Sequence, residues 1–111
     1  MKRLGALGLD LVDVSLGFST PDVSGVPWGP AFMVPFAERV RKEAGVPVGV
    51  GWFISKPEQA DDIVRRGQAD VIMLASAMLD DPHWPFHAAK ALQLPDFKWT
   101  LPAPYAHWVR A

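Results

Sequence analysis

Hydrophobic positions along the chain gather into three short runs, each introduced by a glycine that ends an amphipathic stretch. The first run, Leu9–Ser15 (LDLVDVS), is rich in Leu and Val and short, as a parallel-sheet strand covered on both faces should be. The second, Val46–Trp52 (VPVGVGW), carries Pro47 near its start, where no ladder N–H is needed. The third is Asp70–Leu74. Gly8 stops the last turns of a helix over Lys2–Leu7, Gly45 stops a helix over Phe36–Ala44, and Gly67 stops one that runs to Arg66. Phe36, Ala37, Val40 and Ala44 share one helix face, with Glu38 and Lys42 paired at i,i+4 on the other. Ser55-Lys56-Pro57-Glu58 reads as a capping box with Pro57 in the first turn. Ala60, Ile63 and Val64 of that helix face inward, and Asp61/Arg65 and Asp62/Arg66 form two further i,i+4 pairs. His83–Leu92 predicts another helix, covered by Trp84, Phe86, Ala88, Ala89 and Leu92.

Leu16–Pro35 is a long loop broken by Gly and Pro, yet Phe18, Trp28, Phe32 and Met33 argue for packing over disorder. Residues 96–111 form a Pro- and aromatic-rich tail without clear periodicity. Helix alternating with strand predicts parallel βαβ units with right-handed crossovers. An open doubly wound sheet and consecutive units of a (β/α)8 barrel both accept this rhythm. Three strands leave an open sheet with two bare edges, and a complete barrel takes about 250 residues. The rhythm therefore points to a piece of something larger.

Composition narrows the function classes. Half of the 111 residues are hydrophobic, enough for a core, and the net charge of −1 leaves no basic stripe for nucleic acid or anionic membrane. There is no cysteine, hence no disulfide, thiolate nucleophile or cysteine metal site. Asp10 and Asp13 interrupt the apolar stretch behind Lys2 and Arg3, so neither a signal peptide nor a membrane span is expected, and a cytoplasmic location is the default.

Candidate chemistry centres on Gln68–Pro85, where the third run ends in Ala75, Ser76 and Ala77 before a helix or tight turn. Small residues between a strand and a helix start are a common phosphate site, although Ser76 also suits a plain N-cap. Asp10 and Asp13, at i,i+3 on a strand, point to opposite faces and make a poor carboxylate dyad. Asp80 and Asp81 complement a helix N-terminus. His83 and His87, at i,i+4, share a ligand face only if Pro85 leaves a regular helix, and no carboxylate accompanies them as in zinc motifs. Gly45, Gly49 and Gly51 do not follow a strand as a dinucleotide fingerprint must, and no Gly-x-Ser-x-Gly elbow is present.

Three segments, Val34-Pro35-Phe36-Ala37-Glu38-Arg39, Asp81-Pro82-His83-Trp84 and Trp99–Trp108, resemble the C-terminal part of the old yellow enzyme family in its xenobiotic reductase-like branch. The resemblance implies a partial TIM (β/α)8 barrel: strands 6–8 with their helices over residues 1–95, then the 96–111 tail. It implies FMN at the barrel mouth, with hydride passing from NAD(P)H to the flavin and on to an activated alkene such as an enone. Trp52, Phe53, Ala75 and Ser76 then fall at the cofactor. Trp52 and Trp108 fall at the substrate pocket, Trp108 from a tail that reaches a neighbouring subunit or anchors on its own barrel. Two positions depart from the family. Phe53 stands where a glycine is typical, and Ala75-Ser76 where Gly-Arg is typical, so a guanidinium–phosphate pair is lost. No catalytic residue of the family lies in this chain, and independent activity is not expected. The partner expectation is a second copy or a complementing chain; the alternative function is a non-catalytic partial barrel.

Overall fold

The computed structural model describes residues 2–16 and 21–110; Phe18 of the aromatic loop lies outside the described residues. Helix α1 is Lys2–Gly5, strand β1 Val12–Val14, α2 Val34–Ala44, β2 Val48–Val50, α3 Pro57–Arg65, β3 Val71–Ile72, α4 Ser76–Asp80 and α5 Trp84–Ala91. The tail holds a 3-10 turn at Phe97–Thr100 and α6 at Ala103–Ala106. It is thus more ordered than its lack of periodicity suggests, and Phe97 packs its ring 5.6 Å from that of Phe86.

The glycines ending the first three helical stretches take φ of 91°, 69° and 67° at Gly8, Gly45 and Gly67. A Cβ would be strained there. After each turn comes a strand, and the three strands form one parallel sheet in the order β1-β2-β3. The register sets Asp13 beside Gly49 and Gly49 beside Val71. The protein is a mixed α/β chain around this small parallel sheet.

Two helix starts beside a proline differ from expectation, each in its own way. Pro57 opens α3, and a residue before proline is pushed into extended backbone, which is also the N-cap conformation. Lys56 (φ −91°, ψ 134°) therefore becomes the cap and makes no side-chain cap bond. Ser55 lies one residue too early, and the capping box does not form. Helix α2 starts at Val34, with Pro35 in its first turn where a missing N–H costs nothing. The earlier start buries Val34 and Ala37 and leaves Phe36 exposed. Val64 of α3 is likewise exposed, while Ala60 and Ile63 are buried as expected.

The core is a single layer between helices and sheet. Phe32, Met33, Val34 and Ala37 meet Val48 and Val50 of β2, with Ile54, Ala60, Ile63 and Ala69. Met33 is fully buried, and its sulfur accepts the Leu16 N–H at 3.2 Å. The expectation of strands covered on both faces is not met. Along β1 and its flanks Leu11, Asp13 and Ser15 are exposed while Val12 and Val14 are half-buried; beside and within β3, Val71 and Met73 are exposed while Ile72 and Leu74 are half-buried. Helices shield one face only. On the other, Gly49 and Gly51 leave β2 without side chains, and a Cβ on Gly51 would lie 2.9 Å from the Met73 carbonyl oxygen.

Candidate functional site

At the C-terminal ends of all three strands the sheet opens into a cleft of about 910 Å³, lined by residues 13–15, 51–55 and 72–76. Parallel α/β sheets present ligand sites at this end, because each strand hands over to a loop there. Four residues singled out from the sequence, Trp52, Phe53, Ala75 and Ser76, meet in this one cleft. Trp108 does not: it follows α6, stands 81% exposed, and has its ring 5.3 Å from that of His107.

The aromatic rim is built by strained backbone. Trp52 (φ 69°) and Phe53 (φ 51°) are consecutive non-glycine residues in the left-handed region, at a cost of roughly 1–2 kcal/mol each. Their chain reversal brings both rings to Phe32, at 6.2 and 6.0 Å, and to Trp28, at 6.2 Å each. Ala31, itself at φ 54°, donates its N–H to the Phe53 carbonyl at 3.2 Å. The aromatic loop before α2 and the turn after β2 are thereby clasped together, with Phe53 still 59% exposed at the mouth.

Across the cleft, Ala75 is the N-cap of α4 and Ser76 its first residue, with no side-chain cap bond. The N-cap reading of Ser76 is therefore off by one position: the cap falls on a residue with no side-chain acceptor. Helix α4 spans five residues, too few for the aligned peptide dipoles to build a strong anion site. Among the lining residues there is no Lys, Arg or His, and the sole ionisable group is Asp13. Ser15, Ser55 and Ser76 supply hydroxyls. This donor set accommodates neutral or apolar ligand surface and repels a dianion.

The histidines next to the site serve structure. His87 Nδ1 lies 2.5 Å from Asp81 Oδ2, and the His83 N–H donates to Asp81 Oδ1 at 3.0 Å. His87 beside Asp81 holds that carboxyl below its ordinary value. Asp81 thus precedes α5, as its helix-start reading implies, whereas Asp80 is the last residue of α4 and stands at a helix end rather than a start. Among the described residues no group of three potential metal ligands occurs. The expected phosphate stretch Trp52–Ser55 lines the cleft to its end, and the Ser55 carbonyl accepts the Trp84 Nε1–H at 2.9 Å. Ser15, which the sequence reading did not single out, stands directly past β1, and that position was the available signal.

No family model matches the chain. Over 92 residues it is 41% identical to an NADPH dehydrogenase of Geobacillus thermodenitrificans, covering 83% of this chain and 26% of that protein. It is 43% identical over 91 residues to an NADPH dehydrogenase of Geobacillus sp. strain WCH70, and 36% identical over 91 residues to one of Listeria welshimeri. In both cases the match takes in 82% of this chain and 26% of the relative. The chain thus spans about a quarter of the length of the curated relatives it matches. Among the described residues no helix is long and apolar enough to cross a membrane.

Proposed function

We propose that this chain, a homologue over most of its length of NADPH dehydrogenases of the old yellow enzyme family, corresponds to the part of a flavin-dependent oxidoreductase barrel that faces the cofactor phosphate. The observation that carries the reading is a cleft at the carboxyl ends of parallel strands in consecutive order, the arrangement that adjacent barrel units require. In a whole enzyme of this kind FMN would take hydride from NAD(P)H and deliver it to an activated alkene. The residues of this chain do not fit the FMN phosphate. No cation lines the cleft, Asp13 contributes a carboxylate, and the Phe53 ring occupies the mouth. No step of hydride transfer is therefore assigned to its side chains. A second reading, a non-catalytic partial barrel, is favoured by the uncovered sheet face.

FMN titration followed by flavin fluorescence tests the assignment. The expected result is no saturable binding in the micromolar range for the unaltered chain. Ser76→Arg combined with Phe53→Gly restores a guanidinium and clears the mouth, and tightens FMN on the order of a hundredfold. If that double variant binds no better, the phosphate end is wrongly placed. Tight FMN binding and NADPH-dependent bleaching by the unaltered chain would refute the misfit.

A further inference from the structure

The turns that follow β2 and β3 form one end of the cleft, and direct pairing of the two strands holds them side by side irrespective of any further strand. Val50 stands beside Ile72 in the register, and the Met73 N–H donates to the Val50 carbonyl at 2.8 Å. The Ser55 carbonyl is tied to α5 through the Trp84 indole. This end is lined by residues 51–55 and 72–76. Resting on the flavin reading of the cleft, we propose that it takes a flavin without its phosphate, whose ribityl chain closes on an uncharged hydroxyl.

Charge decides against the phosphate. A phosphate monoester carries close to two negative charges at neutral pH, and a partly desolvated anion needs a cation to pair with. The lining holds no Lys, Arg or His, and its one ionisable group is the Asp13 carboxylate. Lys56 is the cation nearest along the chain, yet it is the N-cap of α3 and stands outside the lining. A dianion would meet repulsion here and no counter-charge.

Shape and hydroxyls decide for the uncharged form. The Phe53 ring stands at the mouth and is held there, 6.0 Å from Phe32 and 6.2 Å from Trp28, with its carbonyl accepting the Ala31 N–H at 3.2 Å. A fixed ring beside the end of the ligand displaces water and raises the cost of an unpaired charge. The same end presents the hydroxyls of Ser55 and Ser76, and Ser76 makes no side-chain cap bond to its own helix. A hydroxyl both donates and accepts, so the two serines match a terminal alcohol.

Separate titrations of the 111-residue chain with riboflavin and with FMN, followed by flavin fluorescence, test the proposal. Riboflavin is expected to bind at least about tenfold more tightly than FMN. Added salt narrows the ratio, because screening relieves the repulsion of the phosphate. Ser55→Ala and Ser76→Ala each weaken riboflavin about fivefold. Equal affinities, tighter FMN, no binding of either flavin, a ratio that salt leaves unchanged, or riboflavin binding indifferent to both serine variants would each overturn the proposal. So would FMN binding that is lost in Lys56→Ser, since a cation would then serve the site. The double variant Ser76→Arg, Phe53→Gly separates the two readings. No preference in the unaltered chain, together with an FMN gain in the double variant, sinks this proposal alone; no FMN gain sinks the flavin reading beneath it.

Discussion

Asp70 shows what a single side chain can join that the sequence does not reveal. Its carboxylate accepts Arg41 Nε at 2.9 Å and Nη2 at 3.0 Å, and also the Val48 N–H at 2.9 Å. One residue thus ties the starts of β2 and β3 to the end of α2. The pairs Glu38/Lys42, Asp61/Arg65 and Asp62/Arg66 were legible because helical spacing brings i and i+4 together, and all three form. The Arg41 partnership spans 29 positions, and no local periodicity encodes it. Asp70→Ala strands the N–H of fully buried Val48 and should cost about 1–3 kcal/mol, read as a lowered urea midpoint. The Arg41 guanidinium, with help from the Val48 N–H, holds the Asp70 carboxyl below its ordinary value. A depressed folded value means that this stabilisation is complete above the unfolded value of about 3.9 and is lost as pH falls through the lower folded value. Urea midpoints should fall below about pH 4, and Asp70→Asn, which keeps an acceptor but no charge, should flatten that fall. An unchanged pH slope in Asp70→Asn would remove Asp70 from the account.

At the scale of elements, the sequence located the three strands of the sheet and the longer helices among the described residues, but it overran the strands, which shrink from Leu9–Ser15 to Val12–Val14 and from Asp70–Leu74 to Val71–Ile72, and it misjudged the starts of α2 and α3 beside proline. Ser55 and Glu58 have the spacing of a capping box, yet Pro57 moves the cap to Lys56, whose backbone is already extended and whose side chain offers no acceptor. Lys56→Ser should therefore stabilise the chain by about 1 kcal/mol, while Ser55→Ala should stay within about 0.5 kcal/mol. Thermal midpoints of the two variants distinguish the registers, and a loss of about 1 kcal/mol in Ser55→Ala would reinstate the capping box. The candidate cleft was legible in part for a related reason. Trp52, Phe53, Ala75 and Ser76 follow strands, and strand ends of a parallel sheet converge. The turn that aims Trp52 and Phe53 at Trp28 and Phe32 depends on left-handed backbone at residues that do not favour it, and propensity gives no warning of that. The brevity of α4 was also hidden, since Ala75-Ser76-Ala77 starts a five-residue helix as readily as a long one.

At the scale of the molecule, helix–glycine–strand repetition was enough to foretell parallel pairing, while the consecutive order β1-β2-β3 was one of two arrangements that the rhythm allowed. It was not enough to foretell that one face would stay bare. Leu and Val suit strands covered on either one face or two, and only the layer that packs against them decides. The Cα radius of gyration, 16.4 Å, exceeds the roughly 13 Å of a compact chain of this length, in keeping with a body built on one core layer. That layer lies within one chain, where Met33, Ala37, Val48 and Val50 are fully buried. The thermal midpoint should therefore not depend on protein concentration. Were folding and association one equilibrium instead, raising concentration about a hundredfold would add about 2.7 kcal/mol per dimer. Set against the unfolding entropy of two chains, that would raise the midpoint by about 6 °C. Differential scanning calorimetry over that range is a direct check. A midpoint that climbs in this way would mean that the single core layer does not carry the fold alone, and that Leu11, Val71 and Met73 are not left in water.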